Sequence, residues 1–247
     1  MVKNMLRRKL LRDMWQNRMQ FVAVILLCAL GSWVFSGLDA AWRMLELSSE
    51  TYFENQNMAD VWITLSSADR EALGRVRGIA GVRDVQARAT AELTVDLPHE
   101  PSLVVEAYDG TPRINRPLVR QGQALESSDL RGCLLDALFA EENGLSPGDR
   151  IALKAGTEVY DFLIRGTCLS PEFMSLTKNS VRDPLNYGFI LINNGAIGAL
   201  GLNSLVVTLE DGVDAAQVEA AVSAYYPDAL MLDSRTQSSV HSIAYHS

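Results

Sequence analysis

The chain has 247 residues and a formal net charge of −8, with 30 acidic side chains against 22 basic ones. This balance argues against nucleic-acid binding, which needs a basic surface, and against docking of the acidic part onto anionic lipid. The three cysteines are too few for a disulfide-dense scaffold; Cys28 lies in an apolar segment, and Cys133 and Cys168 lie in apolar runs typical of core strands, which favours buried free thiols over a single disulfide.

An uncharged segment, residues 21–38, has the composition of a membrane-spanning helix. At about 1.5 Å of rise per residue it covers roughly 27 Å, close to the hydrocarbon thickness of a bilayer. Residues 1–20 carry six basic side chains against Asp13 alone, a net charge of +5, which leaves −13 for residues 39–247. The positive-inside rule therefore predicts a cytoplasmic N-terminus and an extracytoplasmic main domain. The alternative is a cleaved signal peptide, but the apolar core is too long and no clear cleavage site follows it.

Residues 1–20 are predicted to form a basic, amphipathic helix on the cytoplasmic face of the membrane. The apolar side of this helix would contain Leu6, Leu10, Leu11, Met14 and Trp15. A merely basic flank without a docking role is the alternative.

The helical pattern continues past the membrane segment into residues 39–57, which contain no Pro or Gly. The apolar stripe continues at helical spacing through Ala41, Trp42, Leu45, Tyr52 and Phe53. We therefore predict a stalk helix over residues 39–57 that is continuous with the membrane helix. The alternative is an ordinary first helix of the outer domain.

Residues 58–116 are predicted to form the first half of an extracytoplasmic α/β lobe. A strand at 60–65 is followed by a helix that Ser67 can cap and that ends at Gly78, and then by a second strand at 85–97.

Apolar and polar side chains alternate strictly along residues 85–97. The alternation predicts one buried face and one solvent-exposed face, and the polar Gln86 and Arg88 fall on the exposed one. Residues 103–108 are predicted to pair with this strand across a turn at 98–101.

Residues 201–234 repeat the pattern of the first half. A strand at 204–209 precedes a helix that Asp214 and Gln217 can cap, and a short strand follows at 229–232. Two such βαβ-type halves suggest a single sheet built from both.

Between the halves, residues 117–200 are predicted to form an inserted β-rich lobe. It contains a brief helix at 136–142 that Asn143-Gly144 would end, and a tight turn at 146–149 in which Gly148 supplies a positive torsion. The predicted strands lie at 150–153, 159–168 and 187–192.

No motif for catalysis or for cofactor binding occurs. The phosphate-binding loop pattern is absent, no histidine has a cysteine or carboxylate at ligand spacing, and no serine lies in a nucleophile elbow. The side chains considered were His99, His241, His246, Ser170, Ser175 and Ser180. We therefore predict no catalytic, cofactor or metal site, expect that the chain is not an enzyme, and expect its carboxylates to be solvated.

Several short segments together resemble a known family. In order they are Met58–Ile63, Gly81-Val82, Leu118–Gln123, Asp136–Ala140 and Asn143–Asp149. Together with the preceding helix, they look like the N-terminal membrane helix and the periplasmic core domain of FtsX-like, or MacB-like, ABC transporter permeases.

The resemblance implies an α+β fold in which a single transmembrane helix continues into a stalk. A porter-like α/β domain of two βαβ-type halves with an inserted β-rich lobe would follow. It also implies at least three further membrane helices in the native gene product, with residues 235–247 as the start of a segment returning to the membrane.

The implied function is that of a permease subunit in the cell membrane, of which this chain is the N-terminal portion. Such a subunit couples ATP hydrolysis by a separate cytoplasmic ATPase to the outer domain, for export, lipid or lipoprotein handling, or mechanotransmission. Membrane lipid, a second permease copy or an accessory extracytoplasmic protein are further implied partners. The alternative function is that of a single-pass anchored protein with an extracytoplasmic binding domain.

Overall fold

A computed structural model describes residues 18–173, 176, 182–198 and 200–234. The chain divides into two units, Met1–Tyr52 and Phe53–Ser247. The predicted amphipathic helix, apart from its last three residues, and the predicted return segment at 235–247 lie outside the described residues.

The first helix, α1, runs without interruption over Arg18–Asn55. Its first part, Arg18–Ala40, has a mean hydropathy of 2.3 and is long and apolar enough to cross a membrane. Large apolar side chains along it are exposed, among them Leu27, Trp33 and Phe35. One continuous helix therefore runs from the predicted membrane segment into the predicted stalk, and it ends at Asn55, two residues before the predicted end of the stalk at residue 57.

In the second unit, the residues that the structure describes form one ten-stranded sheet and three short helices. The strands are β1 (Val61–Thr64), β2 (Val82–Val95), β3 (Ser102–Tyr108), β4 (Leu118–Gly122), β5 (Gly132–Asp136), β6 (Arg150–Ala155), β7 (Glu158–Leu169), β8 (Tyr187–Asn193), β9 (Ser204–Leu209) and β10 (Leu230–Asp233). The helices are α2 (Arg70–Arg77), α3 (Ala137–Glu142) and α4 (Ala215–Tyr225).

The two βαβ-type halves interlock at one end of this sheet. The strand order there is β10-β1-β9-β2, and each neighbouring pair is antiparallel. Consequently β1 and β2 are parallel to each other with β9 between them, and β9 and β10 are parallel with β1 between them. Neither half can complete its sheet alone, which confirms that one sheet is built from both.

The middle of the chain extends the same sheet. β2 and β3 form the predicted antiparallel hairpin, and β3 then pairs in parallel with β8. The order continues β8-β5-β7-β4, while β6 pairs with both β2 and β7. Strands β4 to β8, which come from residues 117–200, are therefore attached to the two halves by the pairing of β8 with β3 and of β6 with β2.

Local sequence signals set the ends of the short helices. The side chain of Asp214 accepts a hydrogen bond from the backbone N–H of Ala216 and caps α4, as predicted. For α2, however, the N-cap is Asp69 rather than Ser67, since the Asp69 carboxylate accepts from the N–H of Ala72. Both are good N-cap types, and the helix begins two residues later than predicted.

The sheet separates two sets of packed side chains. The face covered by the helices holds the residues of β2 predicted to be buried, such as Val85 and Ala89. Cys133 belongs to a cluster on this face and Cys168 to a cluster on the opposite face. Both are buried free thiols, so the disulfide alternative is excluded.

Candidate functional site: a buried charge network

Part of the β2 face that was predicted to be exposed is buried, at Gln86 and Arg88. The side chains of Gln86 and Arg88 are among the buried polar ones, and Arg88 is 1% exposed. The cover comes from the loop 109–117, which we call the anchor loop, and from the segment 170–173 after β7. The prediction of a solvated polar face is therefore wrong at these two positions.

Arg88 forms a two-pronged ion pair with Glu172. Arg88 Nη1 donates to Glu172 Oε2 and Nη2 donates to Oε1, each at 2.6 Å. The Glu172 side chain is 0% exposed. This planar fork-to-fork geometry is the strongest arrangement that an arginine can make with a carboxylate.

β3 contributes a second carboxyl group. Glu106 Oε1 lies 2.6 Å from Arg88 Nη1, although without the alignment of a hydrogen bond. The Tyr108 hydroxyl donates to Glu106 Oε2 at 2.8 Å and accepts from Arg88 Nη1 at 3.1 Å. From β9, the Ser204 hydroxyl accepts from Arg88 Nε at 3.5 Å. The guanidinium thus meets polar groups from three separate parts of the chain.

Burial decides the protonation of this network. Loss of solvation raises the pKa of Glu106 to about 8, a rise that Arg88 opposes and Glu172 increases. Burial would lower the pKa of Arg88, but Glu106 and Glu172 raise it well above its ordinary value. A pKa of about 8 favours the protonated form of Glu106 at neutral pH, in which the network holds one cation, Arg88, and one anion, Glu172. Two ionised carboxylates beside one guanidinium would bury a net negative charge, which is far more costly.

Asn115 connects this network to the segment 56–60, which joins α1 to β1. Its Nδ2 donates to Glu172 Oε2 at 2.7 Å, and its Oδ1 accepts from the backbone N–H of Ala59 at 2.8 Å. The residue is 1% exposed and has a φ of 52°. Asparagine is one of the few residues that tolerate this left-handed conformation, and here it uses both side-chain polar atoms.

Further hydrogen bonds hold the anchor loop against the residues that follow α1. The backbone N–H groups of Asn115 and Arg116 donate to the carbonyl oxygens of Asn57 and Gln56, at 2.9 and 2.8 Å. Asn57 Nδ2 returns a bond to the carbonyl oxygen of Arg113 at 2.8 Å. The end of α1 and the anchor loop are therefore fixed to each other by both main chain and side chains.

Gln86 holds the anchor loop to the sheet. Its Oε1 accepts from the backbone N–H of Arg113 at 2.8 Å, and its Nε2 donates to the carbonyl oxygen of Thr111 at 3.1 Å. Polar side chains on β2 therefore do two jobs: Gln86 positions the loop, and Arg88 pairs with the segment after β7.

Sequence reasoning missed every member of this network, since the carboxylates were expected to be solvated. The hydrogen-bond partners of Arg88 lie 20, 84 and 116 residues away, so no local pattern joins them. One signal was present: Arg88 and Tyr108 are opposite each other in the predicted hairpin, next to Glu106.

Of the six histidines and serines that the sequence offered for chemistry, the structure describes His99 and Ser170. His99 is exposed, and its Nε2 lies 3.2 Å from the carbonyl oxygen of Leu185. Ser170 is buried and its hydroxyl accepts from the N–H of Glu172 at 3.4 Å, a structural role beside the network. Four of the six lie outside the described residues: Ser175, Ser180, His241 and His246.

A separate acidic cleft of about 510 Å³ lies near the interlocked strands, lined in part by Asp60, Arg83, Glu210, Asp211 and Asp214. Asp60 uses Oδ2 to accept from the N–H of Leu209 at 2.7 Å, and Asp214 caps α4. Among the described residues, no group of three or more His, Cys, Asp or Glu side chains is placed to hold a metal ion.

Comparison with known proteins gives a family. The sequence model of the MacB-like periplasmic core domain matches residues 21–225. No curated protein matches the chain significantly. Because the match covers most of the chain, this protein belongs to the family of MacB-like periplasmic core domains.

Similar solved structures include the periplasmic region of MacB from Actinobacillus actinomycetemcomitans, which is 11% identical with a TM-score of 0.46 over 74% of this chain and 92% of that one. The extracellular domain of the ABC-type transporter YknZ from Gram-positive bacteria is 13% identical, with a TM-score of 0.45 over 70% of this chain and 99% of that one.

Replacing the buried arginine should destabilise the protein strongly. Arg88→Met removes the guanidinium and leaves the Glu172 carboxylate buried without its main partner, which should cost about 3–5 kcal/mol in the free energy of unfolding. Chemical denaturation of the full chain in detergent would measure the loss.

Arg113→Met is the matched control. The Arg113–Asp84 ion pair has side chains that are 55% and 32% exposed, so its loss should cost about 1 kcal/mol or less. Equal losses for the two variants would contradict the assignment of Arg88 as a buried charge.

Protonation of Glu106 should make the stability fall as pH rises. The folded state keeps the proton up to a pKa of about 8, whereas the unfolded state releases it near 4.5. Between these values the unfolded state binds fewer protons, so the free energy of unfolding should decrease by up to about 1.4 kcal/mol per pH unit. Glu106→Gln should remove this contribution.

The pH dependence of stability in the wild-type protein and in Glu106→Gln is best compared between about pH 6.5 and 7.5. In this window the folded state still holds the Glu106 proton, whereas the unfolded state has released it. Asp136, whose pKa burial raises to about 6, contributes with the same sign mainly below this window. Glu71→Gln, which alters an exposed carboxylate, should leave the slope unchanged. An identical slope in the wild-type protein and in Glu106→Gln would refute the protonated state of Glu106.

Proposed function

We propose that this chain is the N-terminal portion of an ABC transporter permease whose α1 helix couples a cytoplasmic ATPase to an extracytoplasmic domain. The observation that carries the proposal is the continuity of α1 from the membrane-length segment to Asn55, together with the hydrogen bonds that hold the residues after it. A passive anchor requires neither feature. Membership of the MacB-like periplasmic core domain family supports the same reading.

In this proposal the chain is not an enzyme, and ATP hydrolysis belongs to the separate ATPase subunit. The chain contributes a helix that transmits movement and a domain that responds to it. Export, handling of lipid or lipoprotein, and mechanical regulation of an extracytoplasmic partner are the activities that such coupling could serve. Membrane lipid and a second permease copy are proposed neighbours.

The proposal requires an inside N-terminus. The charge of +5 before the apolar segment and −13 after it favours this orientation. In intact spheroplasts, a protease site placed in the exposed turn at Gly156 should be cut from outside, whereas one placed after Val2 should be protected. Both sites should be cut after the membrane is permeabilised. Protection at Gly156 with cleavage at Val2 would reverse the orientation and remove the basis for coupling.

The proposal also requires an intact helix. In the assembly purified with its ATPase from the native membrane, addition of ATP should change the hydrogen exchange of the extracytoplasmic domain. Ala41→Pro should abolish that change, because proline within a helix costs about 3 kcal/mol and breaks the hydrogen-bond ladder.

Ala41→Ser is the matched control, since serine keeps the backbone N–H and should preserve the response. A full response in Ala41→Pro would show that α1 is only an anchor. If no ATPase accompanies the protein, the anchored binding protein becomes the better account.

A further inference from the structure

We infer that Asn115 is a positioning residue that links the segment 56–60, which joins α1 to β1, to the segment 170–173, and that the path continues through Glu172 to Arg88 on β2. Through it, a displacement of the helix end reaches both the interlocked halves and the strand-rich middle of the sheet. The inference rests on the proposed function, since it names the residues that would carry the movement.

Asn115 lies between two segments that are far apart in the sequence. One side-chain amide bonds to Ala59, four residues after α1, and to Glu172, three residues after β7. Ala59 lies 56 residues before Asn115 in the sequence, and Glu172 lies 57 residues after it. A displacement of either neighbour must move the amide or break a buried bond.

Glu172 is the residue at which the hydrogen bonds from Asn115 and Arg88 meet. Its Oε2 receives bonds from both Asn115 and Arg88, and its Oε1 receives the second prong of Arg88. Glu172 lies three residues after β7, which pairs with β4, β5 and β6, while Arg88 lies on β2 between β9 and β3. One carboxylate therefore touches the parts of the sheet that come from both halves and from residues 117–200.

Burial makes the hydrogen bonds among Asn115, Glu172 and Arg88 costly to break. Asn115, Arg88 and Glu172 are each 3% exposed or less, so no water replaces a lost partner. A hydrogen bond to a charged group, removed so that its partner stays buried and unsatisfied, shifts an equilibrium by about tenfold or more. Small displacements should therefore be shared along the path.

Asn57 provides a comparison, because its side chain contacts the anchor loop without a bond to Glu172 among those described. It has nearly the same left-handed backbone, with a φ of 50°, and its side chain also binds the anchor loop, through the carbonyl oxygen of Arg113. The bond from Asn115 to Glu172 adds nothing to the grip between α1 and the loop. It is the bond that extends the contact beyond the loop.

The test measures hydrogen exchange in the full chain in lipid nanodiscs. Asn115→Gly keeps the left-handed backbone and deletes only the amide. We expect exchange to become about tenfold faster at Ala59 and in the segment 170–173, the size expected for losing a buried bond to a charged group. Asn57→Gly is the control, and it should leave the segment 170–173 unchanged.

The reverse direction uses Glu172→Gln, which keeps the shape of the side chain and removes its charge. We expect faster exchange at Ala59, and no further increase when Asn115→Gly is already present, because the two changes act on one path. Additive effects, or an Asn115→Gly effect confined to the helix end and the loop, would overturn the inference. If Asn115→Gly does not fold, unchanged exchange at Ala59 in Glu172→Gln overturns it and faster exchange supports it.

The assembly with its ATPase separates this inference from the proposed function. A response of the segment 170–173 to ATP that is present in the wild type and lost in Asn115→Gly supports both. A response that survives in Asn115→Gly overturns the path and leaves the proposed function standing. If ATP changes nothing in the wild type while the nanodisc results are non-additive, the proposed function fails and the linkage through Asn115 stands.

Discussion

The second unit of the chain is organised around the buried guanidinium group of Arg88, which is shielded from water. Arg88 is almost fully buried, and Glu172 meets it with two bonds of 2.6 Å. Burying a charge without a partner costs several kcal/mol, so β2 and the segment after β7 have to be in place together. The proton held by Glu106 completes the balance, since it keeps a second negative charge out of the same space. Segments far apart in sequence are thereby fixed relative to one another.

A buried ion pair adds little net stability compared with apolar packing of the same volume, and its best-attested use is to select one arrangement over others. The selected arrangement here includes the segment between α1 and β1, because Asn115 bonds to both Ala59 and Glu172. The directed bonds of the amide and the carboxylate fix these segments relative to each other, so neither can shift without breaking a buried hydrogen bond.

Local patterns were enough to predict most of the fold. The alternation along β2, the hairpin with β3, the caps of α3 and α4 and the two βαβ-type halves all depend on residues close in sequence. The same alternation was misleading at Gln86 and Arg88, because their cover comes from the anchor loop and from a segment 84 residues away from Arg88. Strand periodicity reports which side chains share a face, but it does not report what lies over that face. The candidate site was missed for this reason.

The buried contacts, rather than the visible surface ion pairs, set the position of the anchor loop. Arg113 and Asp84 meet at 3.1 Å, yet both side chains are partly solvated, so the pair contributes about 1 kcal/mol or less. Gln86 bonds to the loop from β2, and Asn115 bonds from within the loop to Ala59 and Glu172; both amides are buried, so water does not replace a lost partner. These two buried amides thus connect the loop to the sheet and to the segment that follows α1. The loop therefore bridges the polar face of β2 and the segment that joins α1 to β1.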